Sequence, residues 1–172
     1  LSAMRKLERI GVPDRIGAQR FVYLGNNHLV GRALLLNDPA AAIALLLSPS
    51  ERAPESQREA RAHFEAGRFA QARDAFPRGF EAEESLLAAL ANGESPGQAI
   101  DAVDGDLLGF YVSAFQSAVF NAVLDRRVVA GRLGELVPGD VALDERGRAR
   151  FDSDEGSLSD AALLARHGRF AM

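Results

Sequence analysis

From His28 onward the apolar positions recur at helical spacing, in short runs closed by glycine, asparagine or proline. His28 to Leu36 predicts a first short helix. Asp38 before Pro39 places an N-cap ahead of a proline at the first helical position, opening a second helix to about Leu47. Pro54 to Ala66 predicts a third helix ended by Gly67, and Phe69 to Phe76 a fourth stopped by Pro77. Glu81 to Ala91 should end at Asn92-Gly93, and Pro96 to Val103 make one more short helix. Ahead of all these, Gly11, Pro13, Gly17 and Gly25 punctuate the chain too closely for a helix. That stretch reads as a structured loop with a short strand at Arg20 to Tyr23.

The longest helix is expected from about Leu107 to Val129, ending at Gly131. Leu108, Tyr111, Val112, Phe115, Val119 and Val123 recur as a buried stripe, and Leu107, Phe110, Phe120 and Leu124 extend apolarity to the other faces. Such a helix should be the central one of its domain. Ser113, Gln116, Ser117 and Asn121 interrupt it, and polar groups in a buried helix must find partners, as structural anchors or as parts of a site. Beyond Gly131, Leu136 to Leu143, a turn over Asp144 to Gly147, and Arg148 to Phe151 predict a hairpin or two short strands. A lone hairpin is marginal in water, so these belong to a larger sheet. Ser159 caps a last predicted helix, Asp160 to Arg166, and no closing strand is expected at Phe170 to Met172.

Composition changes this picture little. A chain of 172 residues, 47% apolar and 26% charged, is an ordinary globule, one domain or a large piece of one. It can bury roughly 70% of its unfolded surface without a metal or disulfide staple. The absence of cysteine excludes thiolate catalysis, thiolate zinc sites and disulfide scaffolds. It also leaves the redox compartment unread, with the cytoplasm as the default. The longest apolar run, Ala40 to Leu47, is far short of the ~20 residues that span a bilayer, so no membrane partner is expected. Leu1 to Ile10 is charged and lacks a signal-peptide core. A chain opening on Leu1 is expected to begin inside a longer one.

Charge changes more. Residues 1–32 hold six basic groups against Glu8 and Asp14, a balance of +4 within a chain whose total is −4. Glu81 to Asp106 holds seven acidic residues and no basic one, and should repel a phosphate backbone.

Motif chemistry outside one segment is thin. His28, His63 and His167 lie far apart, with none at a metal-ligand spacing, so no metal is expected. Phosphate-binding glycine loops and a serine nucleophile elbow are absent. Ala62, Phe64, Gly67, Phe69, Ala72, Phe76 and Pro77 resemble part of a tetratricopeptide repeat, but a solenoid needs about three copies at a ~34-residue period. Two antiparallel helices packed through small and aromatic residues explain them more simply.

The informative segment is Gly11-Val12-Pro13-Asp14-Arg15-Ile16-Gly17-Ala18-Gln19-Arg20-Phe21, followed by Asn27-His28-Leu29-Val30-Gly31-Arg32-Ala33-Leu34. It resembles the G-[VF]-P-N-[YF]-F-G-x-Q-R-F motif and the downstream N-H-x-x-G-R-A-L of the TruD family of tRNA pseudouridine synthases. Tyr111-Val112-Ser113-Ala114-Phe115-Gln116-Ser117-Ala118-Val119-Phe120-Asn121 is similar to that family's Y-V-x-A-[YF]-Q-S-x-[LV]-F-N, and Gly139-Asp140-Val141 to the G-D-V of the strand entering its insert. The order of the motifs is the family's.

The resemblance implies an α/β (α+β) fold. Residues 1–131 would be a mainly helical part of the catalytic domain, and 132–172 the start of the α/β insert. It implies an isomerase that detaches uracil from its ribose and reattaches it through carbon, without cofactor or metal, with tRNA as partner. An extruded uridine needs a polar anchor, a stacking surface and cations on the flanking phosphates. Asp14, Arg15, Ile16, Gly17, Gln19, Arg20 and Phe21 are the implied substrate-binding residues, with Gln116 and Asn121 as buried hydrogen-bond support. Three departures qualify this. The family's catalytic aspartate lies N-terminal to the first motif, and nothing in the ten residues before Gly11 matches it; nor does the family's C-terminal segment occur here. The family's Asn is Asp14 here, and its base-packing Phe is Ile16. A carboxylate beside a catalytic carboxylate raises the pair's pKa, and losing a ring forfeits ~1–3 kcal/mol of stacking. Asp14 as the nucleophile itself is a weaker alternative to an Asx-type turn. A non-catalytic RNA-binding or protein-interaction relative is the alternative to an enzyme.

Overall fold

The computed structural model describes residues 12–21 and 24–133, together with Ser2, Met4, Arg5, Glu135, Asp140, Leu143, Asp144, Phe170 and Ala171. Local chemistry sets the helix ends. The helices are α1 (Asn27–Leu35), α2 (Pro39–Leu47), α3 (Arg58–Glu65), α4 (Phe69–Ala75), α5 (Glu81–Ala91), α6 (Pro96–Asp101) and α7 (Gly105–Val129). The Asp38 carboxylate accepts from the Ala41 amide at 3.0 Å, with Pro39 in the first turn of α2. Ser95 and Gln98 form a reciprocal capping box on α6. At α7, Asp104 accepts from the amides of Asp106 and Leu107. Four helices stop in the same way. Asn37, Gly67, Gly93 and Gly131 take positive φ just past α1, α3, α5 and α7. In each case the next amide reaches back five residues, as Arg68 does to the His63 carbonyl at 2.9 Å. The third predicted helix opens as a 3-10 turn, Glu55–Gln57, before α3.

Arg15–Val123 forms one of two compact units. Its helices pack sequentially: α1 on α2, α3 on α4, α4 on α5, α5 on α6, with α6 returning against α2. Val30, Ala42, Leu47, Leu86, Leu87 and Ala99 are fully buried where they meet. Arg61 is buried among them at 1% exposure. Its guanidinium donates to the carbonyls of Leu46 (2.9 Å) and Ser48 (2.8 Å) at the end of α2, and twice to Gln57 Oε1. The expected pairing of two helices through aromatics is seen in α3 and α4, with Phe64 and Phe69 rings 5.8 Å apart.

Two expectations are corrected here. A short strand is expected at Arg20 to Tyr23, but Ala18–Phe21 is a 3-10 turn, closed by the Arg20 amide on the Gly17 carbonyl; Val22 and Tyr23 lie outside the described residues. The second concerns α7, where the expected stripe holds only over the first half: Tyr111 is buried and Leu108, Val112 and Phe115 are half-buried, but farther along the buried residues are Ala114, Ser117 and Asn121. Val119, Phe120 and Val123 are about half exposed, at 47%, 48% and 49%. Periodicity located an apolar stripe and could not say which neighbour covers it. By length and composition α7 could also cross a bilayer. The expectation of no such segment came from counting uninterrupted apolar runs, whereas a helix tolerates scattered polar residues. Here two of those polar residues, Ser113 and Asn121, are used in tertiary bonds.

The other unit comprises Leu1–Asp14 and Leu124–Met172, with the last turns of α7. In it Arg127 is ion-paired with Asp140, whose hydrogen bond raises the arginine's pKa, and donates to the Glu135 carbonyl at 3.0 Å. Leu143–Asp144 (β1) pairs antiparallel with Phe170–Ala171 (β2), Leu143 opposite Ala171. That corrects the expectation of no closing strand. Local turn signals point only to a neighbour in sequence, and the partner is distant. Among the described residues these are the strands, so the region seen is mainly helical and the α/β expectation is met only in part. The predicted strand at Arg148 to Phe151 and helix at Asp160 to Arg166 lie outside the described residues.

Candidate functional site

The loop of the first motif is held by one face of α7. Phe110, Ser113, Ser117 and Asn121 recur at spacings of three and four, so they stand in a row along the helix. At the far end of the row the Asn121 amide clamps the loop backbone. Its Oδ1 accepts from the Ile16 N–H at 2.9 Å, and its Nδ2 donates to the Ile16 carbonyl at 3.0 Å. Both backbone groups of Ile16 are thereby satisfied in a segment with no strand or helix of its own. At the near end the Arg20 guanidinium lies over the Phe110 ring, 4.8 Å from its centroid, and donates to Ser113 Oγ. Ser117 Oγ donates to the Ser113 carbonyl at 2.9 Å, one turn back along the helix.

The remaining motif residues are distributed around this clamp. Gly17, Gln19 and Arg15 are exposed, while Ile16, Arg20 and Phe21 are half-buried. Phe21 meets His28 of α1 edge to face, with ring centroids 5.3 Å apart. Asp14 is exposed and falls in the other compact unit. Gln116, expected as a buried anchor, is exposed on α7, because the row that meets the loop runs through residues 113, 117 and 121 rather than 116. The structure thus joins Ile16 and Arg20 to Asn121 and Ser113. Sequence reasoning flagged Ser113, Ser117 and Asn121 as groups needing partners, and their four-residue spacing was the available signal. Phe110 as the platform for Arg20 carried no such mark.

Removing the clamp has a local consequence. Asn121→Ala should cost about 1–3 kcal/mol, because the Ile16 N–H and carbonyl lose their partners. The readout is amide exchange at Ile16, which should become fast while the helical core stays protected. An Ile16 amide as slow as in the parent would mean the loop is held by other contacts.

Leu24, the start of α1, the segment into α5 and the first turns of α7 line an open pocket of about 430 Å³. At the start of α1, Asn26 Oδ1, Asn27 Nδ2 and His28 Nδ1 are buried with no hydrogen-bond partner among the described residues. Burial pushes the Glu83 carboxyl above the usual carboxylate range, against the pull of its own backbone N–H and of the Arg61 charge. Among the described residues no group of three His, Asp or Glu is placed to hold a metal ion.

Comparison with known proteins gives a consistent result. The family profile described as tRNA pseudouridine synthase D (TruD) matches residues 1–169. The tRNA pseudouridine synthase D of Geotalea daltonii is 37% identical over 164 residues, covering 92% of this chain and 39% of the relative. That of Syntrophotalea carbinolica is 32% identical over 158 residues, covering 91% and 38%. A crystal structure from Methanosarcina mazei, described as tRNA pseudouridine synthase D (TruD), superposes with a TM-score of 0.81 at 25% identity. It covers 96% of this chain, which spans 41% of that structure. The chain therefore spans about two fifths of the length of its relatives.

Proposed function

Because this chain belongs to the tRNA pseudouridine synthase D (TruD) family, we propose that it supplies the RNA-facing loop and its helical support to an isomerase that converts uridine to pseudouridine in tRNA. Residues 1–131 are a part of the catalytic domain and 132–172 the beginning of the insert. One observation carries the reading. Asn121 and Ser113, from the second motif, hold Ile16 and Arg20, from the first, so two motifs about a hundred residues apart form a single unit. Of the basic groups of residues 1–32, Arg20 is part of that cluster and Arg15 adjoins its Ile16 in the chain, and cations there would attract a phosphate backbone.

In this reading Arg15 and Arg20 face the flanking phosphates, and Gly17, Gln19 and Phe21 shape the loop around the target base. Asp14 and Ile16 occupy the positions of the family's Asn and Phe. Asn121 acts by positioning Ile16. The catalytic carboxylate belongs to a motif that the 172 residues do not match, so the chain by itself is without isomerase activity. The departures at Asp14 and Ile16 favour a second reading, a relative that binds RNA without modifying it.

The test is a tRNA gel shift with the 172-residue chain at increasing salt, read beside tritium release from 5-tritiated uridine. The expected result is a salt-sensitive complex, weakened several-fold by Arg20→Ala with a shallower salt slope, and no tritium release. A complex indifferent to salt and to Arg20→Ala would remove the RNA reading. Tritium release would show that a carboxylate within these residues, Asp14 first among them, suffices.

A further inference from the structure

The segment that leads from the first-motif loop into α1 is fastened to the region around the end of α2. Asn26 Nδ2 donates to the Leu45 carbonyl at 2.6 Å, and the Arg52 guanidinium donates to the Leu24 carbonyl at 3.4 Å. Gly25 lies between these two bonds with a φ of +70°, and a Cβ there would collide with Arg52 Nη1. Glycine thus leaves the space that the guanidinium takes. The turn that carries Arg52 is itself braced. Pro49 and Pro54 restrict its backbone. Ser50 accepts twice, through Oγ from the Arg52 N–H at 3.2 Å and through its carbonyl from the Ala53 N–H at 3.0 Å. At the root of the turn, Arg61 holds the Ser48 carbonyl. Arg52 is therefore presented to the exit of the motif loop from a fixed base.

Its charge is left open. Arg58, Arg73, Arg127 and Arg132 are ion-paired with Glu55, Asp74, Asp140 and Glu135. Arg52 is exposed, and among the described residues no carboxylate pairs with it, its chain neighbour Glu51 included. The bond to Leu24 is long for an N–H···O contact and engages one of five donors. What remains is a planar, charged fork facing water, which matches an oxyanion with several acceptors, phosphate above all. Its place in the fold says which phosphate. Leu24 follows Phe21 by three positions, so a strand whose uridine meets the motif loop carries its neighbouring phosphates past this point, where backbone contacts set register.

We infer that Arg52 binds a backbone phosphate of the RNA strand beside the first-motif loop, a contact supplied by the turn between α2 and α3 and by neither motif. The inference rests on the RNA reading given above. Arg20 and Arg52 then grip the strand from two separate elements, and the motif loop lies between two cations instead of beside one.

The experiment is a tRNA gel shift with the 172-residue chain across a salt series, comparing the parent with Arg52→Ala, Arg52→Lys and Arg73→Ala. Arg52→Ala should weaken binding several-fold and reduce the slope of log affinity against log salt by about 0.7–0.9, the share of one phosphate. Its melting temperature should stay within about 3 °C of the parent's, as for other exposed substitutions. Arg52→Lys should restore the slope, because an ammonium also neutralises one phosphate. Arg73→Ala removes the same charge from a site where Asp74 already pairs with it, and should leave affinity and slope at the parent's values. Equal losses from Arg52→Ala and Arg73→Ala would reduce the effect to net charge and overturn the inference. A fall of many degrees in the melting temperature of Arg52→Ala, or a slope that Arg52→Lys does not restore, would reduce it to support of Leu24 and overturn it as well. So would parent-like binding by Arg52→Ala while Arg20→Ala still weakens the complex, an outcome that leaves the RNA reading intact. Absence of any RNA binding by the parent chain overturns both.

Discussion

Gly31→Ala should unfold or severely loosen the Arg15–Val123 unit. A Cβ built at Gly31 would lie 2.0 Å from the Tyr111 carbonyl oxygen, 2.5 Å from its carbon and 3.0 Å from the Val112 nitrogen. All three are backbone atoms in the middle of a long helix and cannot swing aside as a side chain would. The only relief is for α1 to lift from α7, which separates fully buried Val30 and buried Ala33 from the core they share with Tyr111. Overpacking of this kind costs about 3 kcal/mol or more when backbone must move. For a unit of this size that lowers the melting temperature by roughly 12 °C or more. The sign is diagnostic. At an ordinary interior helical site, Gly→Ala stabilises by about 0.5–1 kcal/mol, so a circular dichroism melt showing an unchanged or raised midpoint would mean that α1 and α7 are not in backbone contact. The glycine of the N-H-x-x-G-R-A-L segment is thus explained by helix packing alone.

Arg61→Ala should cost a comparable amount by a different route. The guanidinium is buried and makes four hydrogen bonds, two to carbonyls at the end of α2 and two to the buried Gln57. No carboxylate is among these hydrogen-bond partners, though the Glu83 carboxyl feels the charge; it is solvated mainly by carbonyl dipoles at the negative end of a helix and by the Phe76 ring, 5.8 Å away. Truncation leaves the Leu46 carbonyl and the Gln57 amide oxygen buried without their donors, a loss of about 3 kcal/mol or more. Arg61→Lys should recover less than half of it, because a single ammonium cannot span both the α2 terminus and Gln57 as the planar fork does. Urea denaturation reads both variants. Lysine matching arginine would mean that charge alone, without the fork, holds α2 to α3.

The two substitutions show where sequence reasoning reached and where it stopped. Asp38-Pro39, Asn92-Gly93 and Gly131 mark helix ends through interactions confined to a few neighbouring residues, so the chain states them openly and α1 to α7 fall close to their predicted limits. Apolar periodicity also located α7. It placed Tyr111 on the buried side and misassigned the second half of the helix, because Val119, Phe120 and Val123 are as apolar as any core residue and only packing reveals that α7 turns Ala114, Ser117 and Asn121 inward there. The strand expected at Arg20 to Tyr23 fails for the same reason: the tertiary bond from Arg20 to Ser113 goes with a 3-10 turn over Ala18–Phe21. For Gln116 the motif match was right about the helix and silent about the face.

What the sequence by itself determined is the local and the inherited part: helix limits, caps, the charge map and membership of the TruD family. Each rests on residues adjacent in the chain or on motifs read in order. Tertiary structure alone decided that Asn121 closes on Ile16, 105 residues away, that Gly31 admits the Tyr111 backbone, and that Arg61 is solvated inside the core. These are meetings between groups whose partners could not be chosen from their own neighbourhoods, since a hydrogen bond or a packing contact depends on where the backbone brings two segments together and leaves no trace in either one.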